Sequence, residues 1–315
     1  MTVMQTAVGS VKLANPVMTA SGTAGHGDEL GAYVDLSKLG AVVVKSVSAE
    51  AWGGNPAPRL LPLETAGGML NSVGLQNPGI SAWLERELPG LADDGAVVVA
   101  SIWGFRADDF RRAAAELARA VAVNQSAQAI VAVEANISCP NIEDRRRMFA
   151  HSDAGIRDAI GAVGEGLGGV LPLWAKMSPN VTDLPALAAV AVESGAEAVT
   201  LINTVMAMAI DPATGQTRLG AGGGGLSGPA IHPIAVRAVF ECRAALPDVP
   251  IVGVGGVSTG SDAAELIAAG ADAVQVGTAT FANPRAPLRV LHELEDWCTE
   301  QGISNVEDLK GRAHA

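Results

Sequence analysis

Cysteine is scarce in this chain. The three residues, Cys139, Cys242 and Cys298, form no Cys-X-X-Cys pair and no Cys/His spacing of a metal site. So sparse and odd a set argues against a disulfide framework, a zinc centre and a cysteine-ligated iron–sulfur cluster. Positive charge is also in short supply, with 21 basic against 33 acidic residues and a net −12 with histidine neutral. That balance argues against nucleic acid or an anionic membrane as the main partner of the surface. It says little about a small anionic ligand, because a few local cations can dominate a closed pocket. Met1 to Lys12 has neither the basic start nor the apolar run of a signal peptide, and no apolar span of about 18 residues follows. These absences lead us to expect a cytoplasmic protein with no membrane or nucleic-acid partner.

What the chain has in quantity is apolar surface: 49% hydrophobic against 17% charged residues over 315 positions, enough for a large core and against disorder. Eight short apolar runs read as strands: Pro16 to Ser21, Ala41 to Ser46, Ala96 to Ser101, Ile130 to Ser138, Leu171 to Ser178, Ala196 to Asn203, Pro250 to Gly255 and Ala271 to Gly277. Alanine-rich stretches with helical spacing separate most of them, among them Ala107 to Val123, Leu184 to Ser194 and Ser261 to Ala269. Strand and helix alternating to eight units predict a parallel (β/α)8 barrel, a TIM barrel, as a single domain over residues 1–315. A doubly wound sheet is the competing architecture.

The strand ends favour the barrel. In order they carry Ser21, Lys45-Ser46, Ser101, Asn136 with Cys139, Lys176, Asn203-Thr204, Gly255-Gly256 and Gly277-Thr278. One such residue is ordinarily a solvated edge. Eight strands ending in polar groups or glycine at one rim fit the rim where barrel enzymes keep their active sites.

The densest of these ends is Asn136-Ile137-Ser138-Cys139-Pro140-Asn141, which follows the buried run Val131 to Ala135. Pro140 stops regular structure there. An isolated thiol is usually structural, but Cys139 lies beyond a strand end, among amides and before proline, which suits a nucleophile or a proton acceptor, the general base being the preferred role. His26, His151 and His232 fall in separate loops, so no histidine is placed to activate it. Cys242 and Cys298 fall in helical patterns and read as structural.

Gly255-Gly256 and Gly277-Thr278 follow the seventh and eighth strands, where barrels often bind phosphate through close backbone N–H groups. Tight turns alone would also use glycine there. Lys45 and Lys176 both point over the mouth and suit a ligand that is anionic or becomes so. A Schiff-base lysine is the rival use, although polar neighbours follow both. Asn71, Asn136, Asn141 and Asn203 supply amides that suit a planar heterocycle with alternating carbonyl and N–H edges. Asn77 before Pro78 is explained by a turn alone.

Two gaps are too long for simple crossovers, Val47 to Gly95 and Val205 to Val249, and are expected to build the lid or substrate face. The second holds Gly220-Ala221-Gly222-Gly223-Gly224-Gly225. It has no strand before it and no Gly-Lys-Ser/Thr ending, so it is not a P-loop and reads as a mobile linker.

Taken together, these segments resemble a class 1 dihydroorotate dehydrogenase, and in particular the NAD-linked, type B catalytic subunit. The resemblance is carried by Asn15 to Gly22, Asn55-Pro56 with Pro58-Arg59, Asn71 to Gly79, Asn136 to Asn141, Lys176 to Asn180, Leu226 to Ala230, Gly253 to Gly256 and Gln275 to Thr278. It spans nearly the whole chain, and the pairing of Asn-Ile-Ser-Cys-Pro-Asn with Asn-Ser-Val-Gly-Leu-Gln-Asn-Pro-Gly is its most specific part. It implies bound FMN and oxidation of dihydroorotate to orotate in pyrimidine synthesis, with Cys139 taking the C5 proton while a hydride passes from C6 to the flavin. Lys45, Asn71, Ser72, Val73, Gly74, Leu75, Asn136, Asn141, Asn203 and Thr204 would then hold the substrate, with Lys45 also near the chemistry. Ser21, Lys45, Ser46, Asn136, Lys176, Ile202, Gly228, Gly255, Gly256, Gly277 and Thr278 would hold FMN. The resemblance further implies a second subunit carrying FAD and an iron–sulfur cluster, in a homodimer or a heterotetramer, and no metal in this chain.

Two positions depart from the family pattern. Ser101 stands where an asparagine near the flavin is common, and Ile142 to Met148 is more charged than the usual glycine-rich flap. The rival functions are a related FMN barrel acting on another dihydropyrimidine, which Asn141 argues against, and a catalytically silent flavin-binding barrel. A sugar-phosphate aldolase or isomerase would share the phosphate site, but no paired carboxylates stand at the strand ends.

Overall fold

A computed structural model describes residues 2–63, 67–138 and 148–315. Its strands begin with Thr6–Val8 (β1), Val11–Leu13 (β2), Val17–Thr19 (β3), Val42–Val43 (β4), Leu60–Leu63 (β5), Gly68–Asn71 (β6) and Val98–Ile102 (β7). They continue with Ile130–Asn136 (β8), Leu173–Lys176 (β9), Ala198–Leu201 (β10), Val205–Ala207 (β11), Gly224–Ser227 (β12), Ile251–Val254 (β13) and Ala273–Val276 (β14). The helices are Ile80–Arg86 (α1), Leu88–Asp93 (α2), Ala107–Val123 (α3), Asp153–Leu167 (α4), Leu184–Glu193 (α5), His232–Ala245 (α6), Gly260–Ala268 (α7), Ala279–Ala282 (α8) and Ala286–Glu300 (α9).

Eight of the strands form one parallel sheet in the order β3-β14-β13-β10-β9-β8-β7-β4. A parallel bridge between Met18 and Ala41 joins its two edges, with Gly40 N–H donating to Val17 O at 2.8 Å. The sheet is thus closed into the (β/α)8 barrel expected from the strand count, and each strand lies inside the apolar run that marks it except β7, which continues one residue past Ser101 to Ile102. Local signals set the helices between them. Thr259 Oγ1 accepts from Asp262 N–H while the Asp262 carboxylate accepts from Thr259 N–H at 2.8 Å, a reciprocal cap that starts α7. Ser152 caps α4, and Gly168 in the left-handed region ends it.

Alternation along each strand divides the side chains between two cores. One parity packs outward against the helices: Val42, Val98, Val133, Ala175, Val199 and Val274 belong to that outer core. The other parity points into the barrel, where Met18, Val43, Val99, Ala132, Trp174, Ala198, Val252 and Ala273 pack together. The hairpin β1–β2 joins them through Val8, Val11 and Leu13, so it stoppers the barrel at the N-terminal ends of the strands. One step further along the same parity come Lys45, Ser101, Glu134, Lys176, Thr200 and Gln275, and the interior turns polar towards the opposite rim.

Both long gaps contribute to a second, four-stranded antiparallel sheet in the order β11-β12-β6-β5. This corrects the reading of the glycine run as a mobile linker, since Gly224 and Gly225 belong to β12 and pair with Ala207 and Met206 of β11. The physical reason is close approach. A Cβ on Gly225 would collide with the side chain of Thr204, and one on Gly224 with Asn71 O, so the run is glycine because strands must pack there. His232 is likewise no loop residue but the first of α6, nearly buried, with Nδ1–H donating to Gly255 O at 2.8 Å. Among the described residues no helix is long and apolar enough to cross a membrane.

Candidate functional site

The polar ends of the strands and the second sheet enclose a cavity of about 280 Å³, near the lower end of the range for small-molecule sites (~300 Å³). Every proposed site residue that the structure describes lines it. The β3, β4 and β8 ends bring Ser21, Lys45, Ser46 and Asn136, and the segment after β6 brings Asn71, Ser72, Val73, Gly74 and Leu75. The β9 and β10 ends bring Lys176, Ile202, Asn203 and Thr204, and the far wall is made of Gly228, Gly255, Gly256, Gly277 and Thr278. Cys139, Asn141 and residues 142–147 of the charged flap lie outside the described residues. The chain reaches them directly from Ser138, which also lines the cavity. Residues not singled out from sequence complete the wall, among them Thr23, Leu60, Met69, Ser227, Ile231 and Phe281.

The electrostatics run against those of the surface. In a chain of net charge −12, the described lining holds two lysines and no carboxylate. Burial pushes the Lys45 ammonium below the ordinary lysine range, and the nearby Arg59 charge pushes it further, with Glu29 opposing. Lys45 Nζ makes no hydrogen bond among the described residues. Lys176 is 5% exposed. Burial pulls its pKa down as well, while the Glu134 carboxylate works the other way. Lys176 Nζ donates to Gln275 Oε1 at 3.0 Å, behind the cavity wall. Both Glu134 and Gln275 were missed as site residues. The available signal was a single charged or amide residue on the inward parity of an otherwise apolar strand.

The amides and hydroxyls form a connected set. Asn203 Nδ2 donates to Asn136 Oδ1 at 3.3 Å, and Asn136 Nδ2 donates to Ser46 Oγ at 3.1 Å. Ser46 in turn lies 3.1 Å from Ser21 Oγ and 2.8 Å from Ser101 Oγ. Ser101 is fully buried behind these two hydroxyls and does not reach the cavity. Asn71 is held by its Nδ2 donating to Gly225 O at 3.2 Å, across the second sheet. Ser138 Oγ is buried at the cavity wall and has no partner among the described residues. The set presents donors and acceptors in fixed positions, which is what a planar polar ring requires.

At the other end of the cavity Gly256 adopts φ +72°. A Cβ there would stand 2.7 Å from His232 Cβ and 2.9 Å from Gly228 O. Main chain lines this wall because side chains cannot, and Thr278 Oγ1, donating to Ser227 Oγ at 2.8 Å, adds hydroxyls beside it. Exposed main chain and hydroxyls beside a cationic floor have the chemistry of a phosphate cradle. We therefore expect Gly256→Ala to cost about 1–3 kcal/mol through the strained backbone and to weaken uptake of a phosphorylated ligand at least about tenfold. Denaturant melts and equilibrium titration with a phosphorylated ligand measure the two effects, and unchanged uptake would refute a role for this wall.

Fold and site together define a barrel that gathers a phosphate-type cradle, a polar ring pocket and two lysines at its C-terminal rim. The chain belongs to the dihydroorotate dehydrogenase family: that family's sequence profile matches residues 3–297. A relative from Desulforudis audaxviator (strain MP104C), 44% identical over 98% of this chain and 96% of its own length, is named "Dihydroorotate dehydrogenase B (NAD(+)), catalytic subunit". One from Alkaliphilus metalliredigens (strain QYMF), 42% identical over 98% of both chains, carries the same name. A third, from Solibacter usitatus (strain Ellin6076), 43% identical over 98% of this chain and 97% of its own, is provisionally named as the A type linked to fumarate. Among solved structures, Eimeria tenella DHODH in complex with ferulenol shares the fold, with TM-score 0.79 and 23% identity over 99% of this chain and 88% of that one.

Proposed function

We propose that this chain is a single-domain, FMN-dependent dihydroorotate dehydrogenase that oxidises dihydroorotate to orotate in pyrimidine synthesis. The observation that carries the reading is the cavity lining, with two lysines, a run of amides, a main-chain cradle and no carboxylate among the described residues. FMN fits that donor set. Gly228, Gly255, Gly256, Gly277 and Thr278 would hold its phosphate, and Ser21, Lys45, Ser46, Asn136, Lys176 and Ile202 its ring system. Bound FMN supplies the two-electron acceptor for the hydride that leaves C6.

The chain's own residues do the rest. Lys45, the amides of Asn71, Asn136, Asn141 and Asn203 and the Thr204 hydroxyl match the carboxylate and the alternating edge of the pyrimidine ring, and Ser72, Val73, Gly74 and Leu75 close over it. The Cys139 thiolate takes the C5 proton, so a C5=C6 double bond forms as the C6 hydride leaves. Lys176 places a cation in a site with little water, where negative charge accumulates during the reaction.

Cys242 and Cys298 are fully buried within α6 and α9. Burial pushes the Cys242 thiol up to about 12. They supply no thiolates for a cluster, and the names of the two type B relatives, each a catalytic subunit, are what support a separate electron-transfer subunit with FAD and iron–sulfur. The reading includes a cytoplasmic location and a homodimeric or heterotetrameric assembly. Anaerobic titration of the yellow protein with dihydroorotate is expected to bleach the flavin at one equivalent per site. Flavin that dithionite reduces but dihydroorotate does not would overturn the substrate, and point to another dihydropyrimidine or a silent barrel. Re-oxidation by fumarate alone, without a second subunit, would overturn the type B assignment.

A further inference from the structure

The carboxylate of Glu134 sits inside the barrel, two residues before Asn136 and one layer below the cavity. It is fully buried. Its Oε2 accepts from Thr200 Oγ1 at 3.0 Å and from Gln275 Nε2 at 2.8 Å. Its Oε1 makes no hydrogen bond among the described residues and lies 3.9 Å from Lys176 Nζ. Gln275 bridges the two charges, because its Oε1 accepts from Lys176 Nζ at 3.0 Å while its amide nitrogen faces Glu134. An ionised carboxylate can only accept, so it dictates that the Gln275 NH2 turns towards it and the carbonyl towards Lys176. A buried charge with no partner of opposite sign costs several kcal/mol, and Lys176 is the cation within reach. The lysine thus spends one of its three donors on Gln275 and keeps two for the cavity it lines.

We propose that Glu134 is a positioning residue for the site: its carboxylate keeps Lys176 charged and, through Gln275, fixes the direction in which Lys176 presents that charge. This rests on the reading that FMN occupies the cavity only in its first test. Burial pulls the Lys176 pKa down and Glu134 opposes it, so removing the carboxylate lets Lys176 lose its proton at lower pH.

Two measurements decide it on Glu134→Gln. In the FMN-loaded protein, the preference for reduced over oxidised flavin should fall about tenfold more than in the parent between neutral pH and the ordinary lysine range, about 30 mV for a two-electron couple. The double variant Glu134→Gln/Lys176→Met should lack this added slope. In the FMN-free protein, the folded state of Glu134→Gln should bind fewer protons than the unfolded chain over that range, so its stability rises with pH relative to the parent. The gap in unfolding equilibrium constant should narrow about tenfold, with no flavin involved. A parent protein that takes up no FMN would sink the cofactor reading and leave this second measurement to judge Glu134. The exchange Glu134→Gln/Gln275→Glu places the carboxylate directly on Lys176 and should restore the parent's behaviour in both measurements. Parent-like pH dependence in Glu134→Gln, or no restoration by the exchange, overturns the proposal. So would failure of both variants to fold, since the carboxylate would then serve folding alone.

Discussion

Cys139→Ala is expected to bind FMN as the parent chain does and to be bleached by dihydroorotate about 10²–10⁴-fold more slowly, the usual worth of a positioned general base. The C5 hydrogen is a carbon acid, and no water can stand in at comparable effective concentration once the ring is enclosed. The residue before it, Ser138, lines the cavity wall, and a thiol can accept the proton only once it is ionised. The bleaching rate of the parent should therefore rise with pH as the thiol ionises, and that limb should vanish in the alanine variant. Anaerobic stopped-flow across the neutral range measures both effects. Bleaching at the parent's rate would remove Cys139 from the chemistry.

The Lys176 charge at the cavity wall gives the second large effect. Lys176→Met alone would leave Glu134 as an unpaired buried charge, a cost of about 3–5 kcal/mol, so the informative variant carries Glu134→Gln as well. It should fold, bind FMN, and show flavin reduction slowed about 10²–10³-fold, the magnitude attached to losing one preorganised electrostatic partner. Burial sets the direction of the pH effect. Because the Lys176 pKa is lowered from 10.5, the parent should lose rate on the alkaline side before an ordinary lysine titrates, and the variant should show no such fall. Reduction as fast as the parent's, with FMN bound, would mean that the Lys176 cation is not what drives it.

The barrel was legible because period-two alternation and an apolar run are local properties, and β8 and β9 lie within the stretches those properties mark. The rim residues were legible for the same reason. Once Val43 and Trp174 are taken as inward, parity places Lys45 and Lys176 over the mouth. What escaped were features made by distant segments meeting. Gly224 and Gly225 look like slack chain until Asn71 and Thr204 come close enough to forbid a side chain. Glu134 reads as one charge in a strand until Gln275, 141 positions away, turns its amide towards it. Ser101 reads as a lost flavin contact, yet its hydroxyl serves Ser46 and Ser21 from behind the wall.

The antiparallel sheet over the mouth takes β5 and β6 from one insertion and β11 and β12 from the other. In most barrels the loops above the strands diversify independently, which is how one scaffold acquires many substrates. Here two of them are stitched edge to edge, with Leu70 registered against Leu226 and Asn71 against Gly225. Lengthening or reshaping one without the other would break a shared ladder. New specificity should therefore arise here through coordinated pairs of changes, and libraries that randomise a single loop should return mostly unfolded lids.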